Sequence, residues 1–76
     1  MAQQIQESEL AAKAKQFRKA AGKTRSEAAR EMKVSQPSLF HAEESPKQSL
    51  IKLRKRMIEH YSPWKLVGPV YFLKRK

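Results

Sequence analysis

Apolar positions recur with a helical period over four stretches of the chain, and after Pro63 the pattern changes to that of strands. The first stripe is Leu10, Ala14, Phe17 and Ala21, spaced four, three and four apart, which places them on one face of a helix. Lys13, Lys15, Gln16 and Lys19 fall on its other faces. Ser8 stands where an N-cap belongs, Glu9 suits the positive end of the helix dipole, and Gly22 suits a left-handed C-cap. Thr24 followed by Glu27 forms a capping box for a second helix, whose apolar face of Ala28, Ala29 and Met32 is small enough for close helix approach. Ser35 is an N-cap and Pro37 a first-turn residue for a third helix. There Leu39 and Ala42 point inward, and Gln36, Pro37, Phe40 and His41 point outward.

Pro46 closes a loop over residues 44–47, so a fourth helix is expected to begin at Gln48 or Ser49 and to run to about Tyr61. Its stripe is Leu50, Leu53, Met57 and Tyr61, widened by Ile51 and Ile58, with Lys52, Arg54, Lys55 and Arg56 between. Beyond Ser62 and Pro63, the segment WKLVGPVYFLKRK is rich in β-branched and aromatic residues and broken by Gly68 and Pro69. It predicts one bent strand or a short hairpin, which needs something to pair with because an isolated ribbon is marginal in water. Residues 1–7 carry no period and are expected to be a flexible lead-in. The chain therefore divides into that lead-in, a helical domain over 8–61, and a β segment over 62–76.

Charge adds a class of partner. The 76 residues hold 17 Lys and Arg against 7 acidic residues, all Glu, for a net charge of +10. That excess favours a polyanion. Residues 46–61 carry five cations and one Glu, residues 62–76 four cations and no acid, and residues 23–45 four of each sign, so the positive field comes from the C-terminal half. A domain of this size buries only about 60% of its unfolded surface, which makes a partner subunit a natural source of stability.

The same composition argues against an enzyme. Asp and Cys are absent, no Ser or Thr has a His and an acid in a recognisable arrangement, and two glycines cannot build a phosphate loop. Without Cys there is neither a disulfide framework nor a thiolate metal site, and His41 and His60 lie too far apart to suggest a ligand pair. No metal, cofactor or small-molecule ligand is expected. The polar, acidic start MAQQIQESE does not read as a signal peptide, and the longest apolar run, Leu66 to Leu73, is too short to span a membrane. A cytoplasmic location is the expectation.

Residues 24–43 resemble the helix-turn-helix of the Xre/Cro and phage-repressor family of DNA-binding proteins. In that family the pattern runs Thr-Gln-x-x-Leu-Ala, a Gly turn, Val-Ser, and a recognition helix ending in Glu. Thr24, Arg25, Ala28, Ala29, Val34, Ser35, Leu39 and Glu43 fall on those positions, and Arg18 stands where the family has an arginine that pairs with that Glu. The likeness covers roughly residues 10–57. Ala28 replaces a usual Leu, Lys33 a usual Gly, and Ala42 a residue that is often bulkier. Lys33 therefore needs a left-handed backbone, costing about 1 kcal/mol relative to Gly, or a different turn. The volume left by the alanines falls to Phe17, Phe40 or Trp64.

The resemblance implies a mainly α, lambda-repressor-like four-helix domain, to which the residue pattern beyond Pro63 adds a short C-terminal β strand or hairpin. It further implies a homodimeric regulator, most simply a repressor, that binds double-stranded DNA at a palindromic operator and is associated with the nucleoid. Two other readings stay open: an antitoxin that binds a toxin protein and its own operator, and a small basic adaptor for protein or structured RNA.

Gln36 is the leading base reader, because a carboxamide can bond bidentately to adenine N6 and N7. By resemblance Pro37 and His41 also face bases, while Thr24, Arg25, Ser35 and Ser38 lie near phosphates. Phe40 is open to a methyl contact, an intercalating wedge or ordinary packing. The basic run Arg54, Lys55 and Arg56, with Lys47 ahead of it, is assigned to phosphates, the alternative being a solvated helix face. For His41 the alternative is an unengaged imidazole. The resemblance makes Arg18 and Glu43 a buried pair that locks the first helix to the third; two exposed charges would be worth at most about 1 kcal/mol. In the tail, Trp64, Leu66, Val70 and Phe72 are assigned to strand pairing with a second subunit.

Overall fold

Helices α1 (Leu10–Ala20), α2 (Arg25–Met32), α3 (Gln36–Glu44) and α4 (Ile51–Tyr61) form where the apolar stripes fall. The computed structural model describes residues 3–4, 6–67 and 72–76. Leu10 and Ala14 of α1, Ala28, Ala29 and Met32 of α2, Leu39 and Ala42 of α3, and Leu53, Met57 and Ile58 of α4 converge on one core. The alanines let the helices approach closely, and Phe17 and Trp64 pack against the same core. Phe40, the third residue considered for that volume, remains 44% exposed.

Local signals set most helix ends. Thr24 accepts from the Glu27 amide at 3.1 Å while the Glu27 carboxylate accepts from the Thr24 amide at 3.0 Å, closing the capping box on α2. Gly22 takes the left-handed conformation, φ 75°, after α1, and the Gly22 and Lys23 amides reach back to the Lys19 and Arg18 carbonyls at 3.0 and 3.2 Å. At the other end of α1 the expectation fails. A 3-10 turn over Glu7–Glu9 leads into the helix, Glu9 occupies the cap position without a side-chain cap bond, and Ser8 does not cap. Ala21 is exposed, because α1 ends at Ala20 and the interior position in the last turn goes to Arg18. Helix α4 starts at Ile51, later than expected, since residues 45–48 are used in a turn in which the Gln48 amide bonds the Ser45 carbonyl at 2.9 Å.

Lys33 adopts φ 59° and ψ 45° at the end of α2, where its amide and that of Val34 bond the Arg30 and Ala29 carbonyls at 3.2 and 3.0 Å. A β-carbon in this left-handed region costs about 1 kcal/mol or more. Lys33→Gly is therefore expected to stabilise the fold by about 1 kcal/mol, raising the thermal midpoint by about 5 °C. An unchanged or lower midpoint would show that the lysine side chain compensates for its backbone.

The C-terminal segment is a hairpin and not a bent strand. Strands β2 (Trp64–Val67) and β3 (Phe72–Arg75) pair antiparallel, with Leu66 opposite Leu73. Contrary to the expected lead-in, Gln3 and Gln4 form β1 and pair with Leu73 and Phe72, which gives a three-stranded sheet in the order β1-β3-β2. Two glutamines carry no period, and their order comes from the backbone edge of β3. Leu66 and Leu73 are 5% and 1% exposed and belong to the domain's own core, and β2 lies against α4. The assignment of Leu66 to a subunit interface is thus corrected, and Trp64 likewise packs partly buried in cis. Val70 and the side chain of Phe72, also assigned to that interface, lie outside the described residues. Tyr61 ties α4 to α2 by donating to Glu31 at 2.5 Å, and burial together with that bond pushes its phenol up.

Candidate functional site

The outer face of α3 follows from its start. Ser35 is extended and accepts from the Ser38 amide at 3.2 Å, and Pro37 sits in the first turn, so the helix phase is fixed before any tertiary contact. With Leu39 and Ala42 buried, Gln36, Pro37 and Phe40 are exposed and His41 is half-buried. These four line a shallow surface depression together with Arg25. The Gln36 amide donates weakly to the Ser26 hydroxyl at 3.4 Å, and His41 Nδ1 lies 3.0 Å from the Ser45 hydroxyl. The His41 ring meets Phe40 edge-on, with centroids 5.6 Å apart.

The far end of α3 is clamped. Arg18 and Glu43 form a bidentate pair, Nε to Oε2 at 2.5 Å and Nη2 to Oε1 at 3.0 Å, with side chains 8% and 0% exposed. Arg18 Nη1 also donates to the Lys23 carbonyl at 2.6 Å. Glu43 accepts in addition from Arg25 Nε at 2.9 Å, and Glu44 bonds both Arg25 and Lys15, the latter at 2.7 Å. The Lys15 hydrogen bond, aided by the charges of Lys15 and Arg25 and opposed by partial burial, holds the Glu44 carboxyl below the ordinary carboxylate range. Helices α1 and α2 thereby grip the last turn of α3. Arg25, assigned by resemblance to a phosphate, is turned onto the two glutamates, and its guanidinium lies 5.0 Å over the Phe40 ring.

Among the cations the structure corrects one assignment. Arg54 is 1% exposed and cannot reach a phosphate. Its fork donates to the Ala42 carbonyl at 2.9 Å, to the Ser45 carbonyl at 2.7 Å and to the Gln48 carbonyl at 2.8 Å, so it caps α3 and fixes the following turn. The sequence pattern placed Arg54 between the apolar positions of α4, and its charge assigned it outward; the structure turns it in, beside Met57 and Ile58 among the buried residues of that helix. Arg56 is exposed and donates to the Met32 carbonyl at the end of α2 at 2.5 Å, and Lys47 and Lys55 are exposed.

Lys52, which the sequence pattern placed only among the polar positions of its helix, lines a groove beside the start of α3 with Arg56, Ser38, Val34 and Leu50. The signal for it was the spacing of four between Lys52 and Arg56. Thr24 and Ser35 engage their hydroxyls in capping, and Ser35 also donates to the Ser38 hydroxyl at 2.8 Å.

Among the described residues no group of three or more His, Cys, Asp or Glu is placed to hold a metal ion, and no helix is long and apolar enough to cross a membrane. No family model matches the chain, and neither a curated protein nor a solved structure does.

Proposed function

We propose that this chain is a sequence-specific duplex-DNA-binding regulator with the helix-turn-helix and lambda-repressor-like architecture of the Xre/Cro family, α2 and α3 forming the motif and α3 the recognition helix. One observation carries the reading: the exposed face of a short helix bears Gln36, Pro37, Phe40 and His41 while both its ends are anchored, by Ser35 at the start and by Glu43 and Arg54 at the finish. A rigid helix with an uncovered polar and apolar face suits the major groove. Lys52 and Arg56 line a groove with Ser38 near the start of α3, and Lys47 and Lys55 are exposed, so these cations are available to phosphates that flank the bases read. The protein acts as a cytoplasmic, nucleoid-associated repressor that occludes a promoter. A homodimer would set two α3 helices about 34 Å apart on a palindrome; in the sheet β3 is central and β1 and β2 are the edge strands.

Selection of bound duplexes from a random pool tests this directly, with enrichment of a palindrome as the expected result. On the selected site Gln36→Ala is expected to lose about 1 to 3 kcal/mol of binding while random-sequence binding changes little. Equal losses on both DNAs would remove Gln36 from base reading. The exposure of Phe40 favours a second reading, an antitoxin whose α3 face also docks a toxin protein. Under that reading Phe40→Ala weakens a protein complex and leaves operator binding intact.

A further inference from the structure

On the premise that the chain binds duplex DNA through α3, we propose that the apolar surface of Pro37 and Phe40, in the shallow depression on the outer face of α3, reads the C5-methyl group of thymine, within one or two base pairs of the adenine addressed by Gln36.

Three uses of Phe40 compete, and geometry separates them. Packing is excluded by exposure: Phe40 stands 44% exposed while Leu39 and Ala42 take the interior. Intercalation requires a ring that can leave the helix surface and enter a base step. Phe40 is held instead, with the Arg25 guanidinium 5.0 Å over its face and the His41 ring packed edge-on at 5.6 Å. Arg25 is itself fixed by Glu43 and Glu44, so the brace extends to the buried end of α3. A stationary aromatic surface on the outer face of the helix is suited to an apolar contact with a base edge, and thymine alone among the four bases offers one in the major groove, its C5-methyl group.

Pro37 lines the same depression. It lies three residues before Phe40 and hence on the same face, and its ring has no N–H to donate. The other residues that line the depression, Gln36, His41 and Arg25, carry its polar side chains. Gln36 precedes Phe40 by one turn, about 6 Å along the axis, against about 3.4 Å per base step. An adenine under Gln36 and a thymine methyl under Phe40 thus fall within two steps of each other. Arg25, expected at a phosphate, becomes a positioning residue for the ring.

The test uses the full chain and duplexes enriched from a random pool, with each thymine replaced in turn by deoxyuridine, which differs only in lacking the methyl group. The wild-type protein is expected to bind about fourfold more weakly when one particular thymine per half-site is replaced, the loss of one buried methyl. Phe40→Ala, at an exposed position and checked by an unchanged thermal midpoint, is expected to bind thymine and uracil duplexes equally at that site. Wild-type binding that is indifferent to uracil everywhere, with Gln36 still required, overturns the methyl reading and leaves DNA recognition standing. Uracil sensitivity that persists in Phe40→Ala overturns it too, by giving the methyl to another residue. If no duplex is enriched, both fall.

Discussion

Glu43→Ala is expected to destabilise the protein by about 3 to 5 kcal/mol, which at the low end of the stability expected for a domain of this size would unfold a large fraction of it at room temperature. The carboxylate is fully buried and receives two guanidinium groups, one of which, on Arg18, is only 8% exposed. Removing the acid leaves Arg18 charged beside the core with the Lys23 carbonyl as a remaining partner, and breaking one half of a buried pair is costly for that reason. Arg25 suffers less, because it is part-exposed and retains Glu44. A 76-residue domain has roughly 4 to 11 kcal/mol of stability in total, so the loss is between about a quarter and all of it. Denaturant midpoints measure it, and a loss below about 1 kcal/mol would mean that the pair is screened by water in solution. The double replacement Arg18→Met with Glu43→Leu is expected to recover most of the loss, since it removes both charges from the interior.

Arg54→Met is expected to cost about 3 kcal/mol, although Lys55→Ala at the next position should change stability by no more than about 0.5 kcal/mol. Methionine keeps the apolar stem but strips donors from the carbonyls of Ala42, Ser45 and Gln48. Water can reach the last two, which lie in a half-exposed turn; the Ala42 carbonyl, at the buried end of α3, bears most of the penalty. Arg54→Lys should restore less than half, because one ammonium cannot serve three carbonyls in a fixed fan. The same residues separate structure from binding. Neutralising Lys55 or Arg56 is expected to flatten the salt dependence of DNA binding by about one unit of slope for each cation that meets a phosphate, whereas a folded Arg54 variant keeps the wild-type slope. A reduced slope in Arg54→Lys would return this residue to the binding surface.

The helices and their phases were legible because their signals are local. A capping box at Thr24 and Glu27, a Ser35 cap with Pro37 behind it, a left-handed Gly22, and apolar residues every three or four positions all act within one or two turns of themselves. The inward and outward faces of α3 follow from the same period, which is why Leu39, Ala42, Gln36, Pro37 and Phe40 stand where the pattern placed them. The pairing of Arg18 with Glu43 was legible in another way, through resemblance, since nothing local connects residues 25 positions apart.

Where reading failed, the deciding interaction was long-range. A cation in a run of cations reads as solvated, and nothing near Arg54 in sequence announces that three carbonyls from α3 and its following turn converge on it. The exception is local: Ser8 has the chemistry of a cap, yet a 3-10 turn, in which the Glu9 amide bonds the Gln6 carbonyl at 2.9 Å, displaced the helix start to Leu10. Gln3 and Gln4 become a strand because β3 presents an edge to them, and Leu66 turns inward because α4 lies beneath β2.

What the sequence by itself determined is therefore the set of helices, the caps of α2 and α3, the apolar core of each buried face and the charge available for a polyanion. Tertiary structure alone decided which charges are structural and which are surface, which strands pair, and that Arg25 braces Phe40 instead of standing free. The physical reason is range: caps and periodicity act along one turn of backbone, whereas desolvation of a charge or satisfaction of a carbonyl depends on whatever distant segment the fold brings alongside.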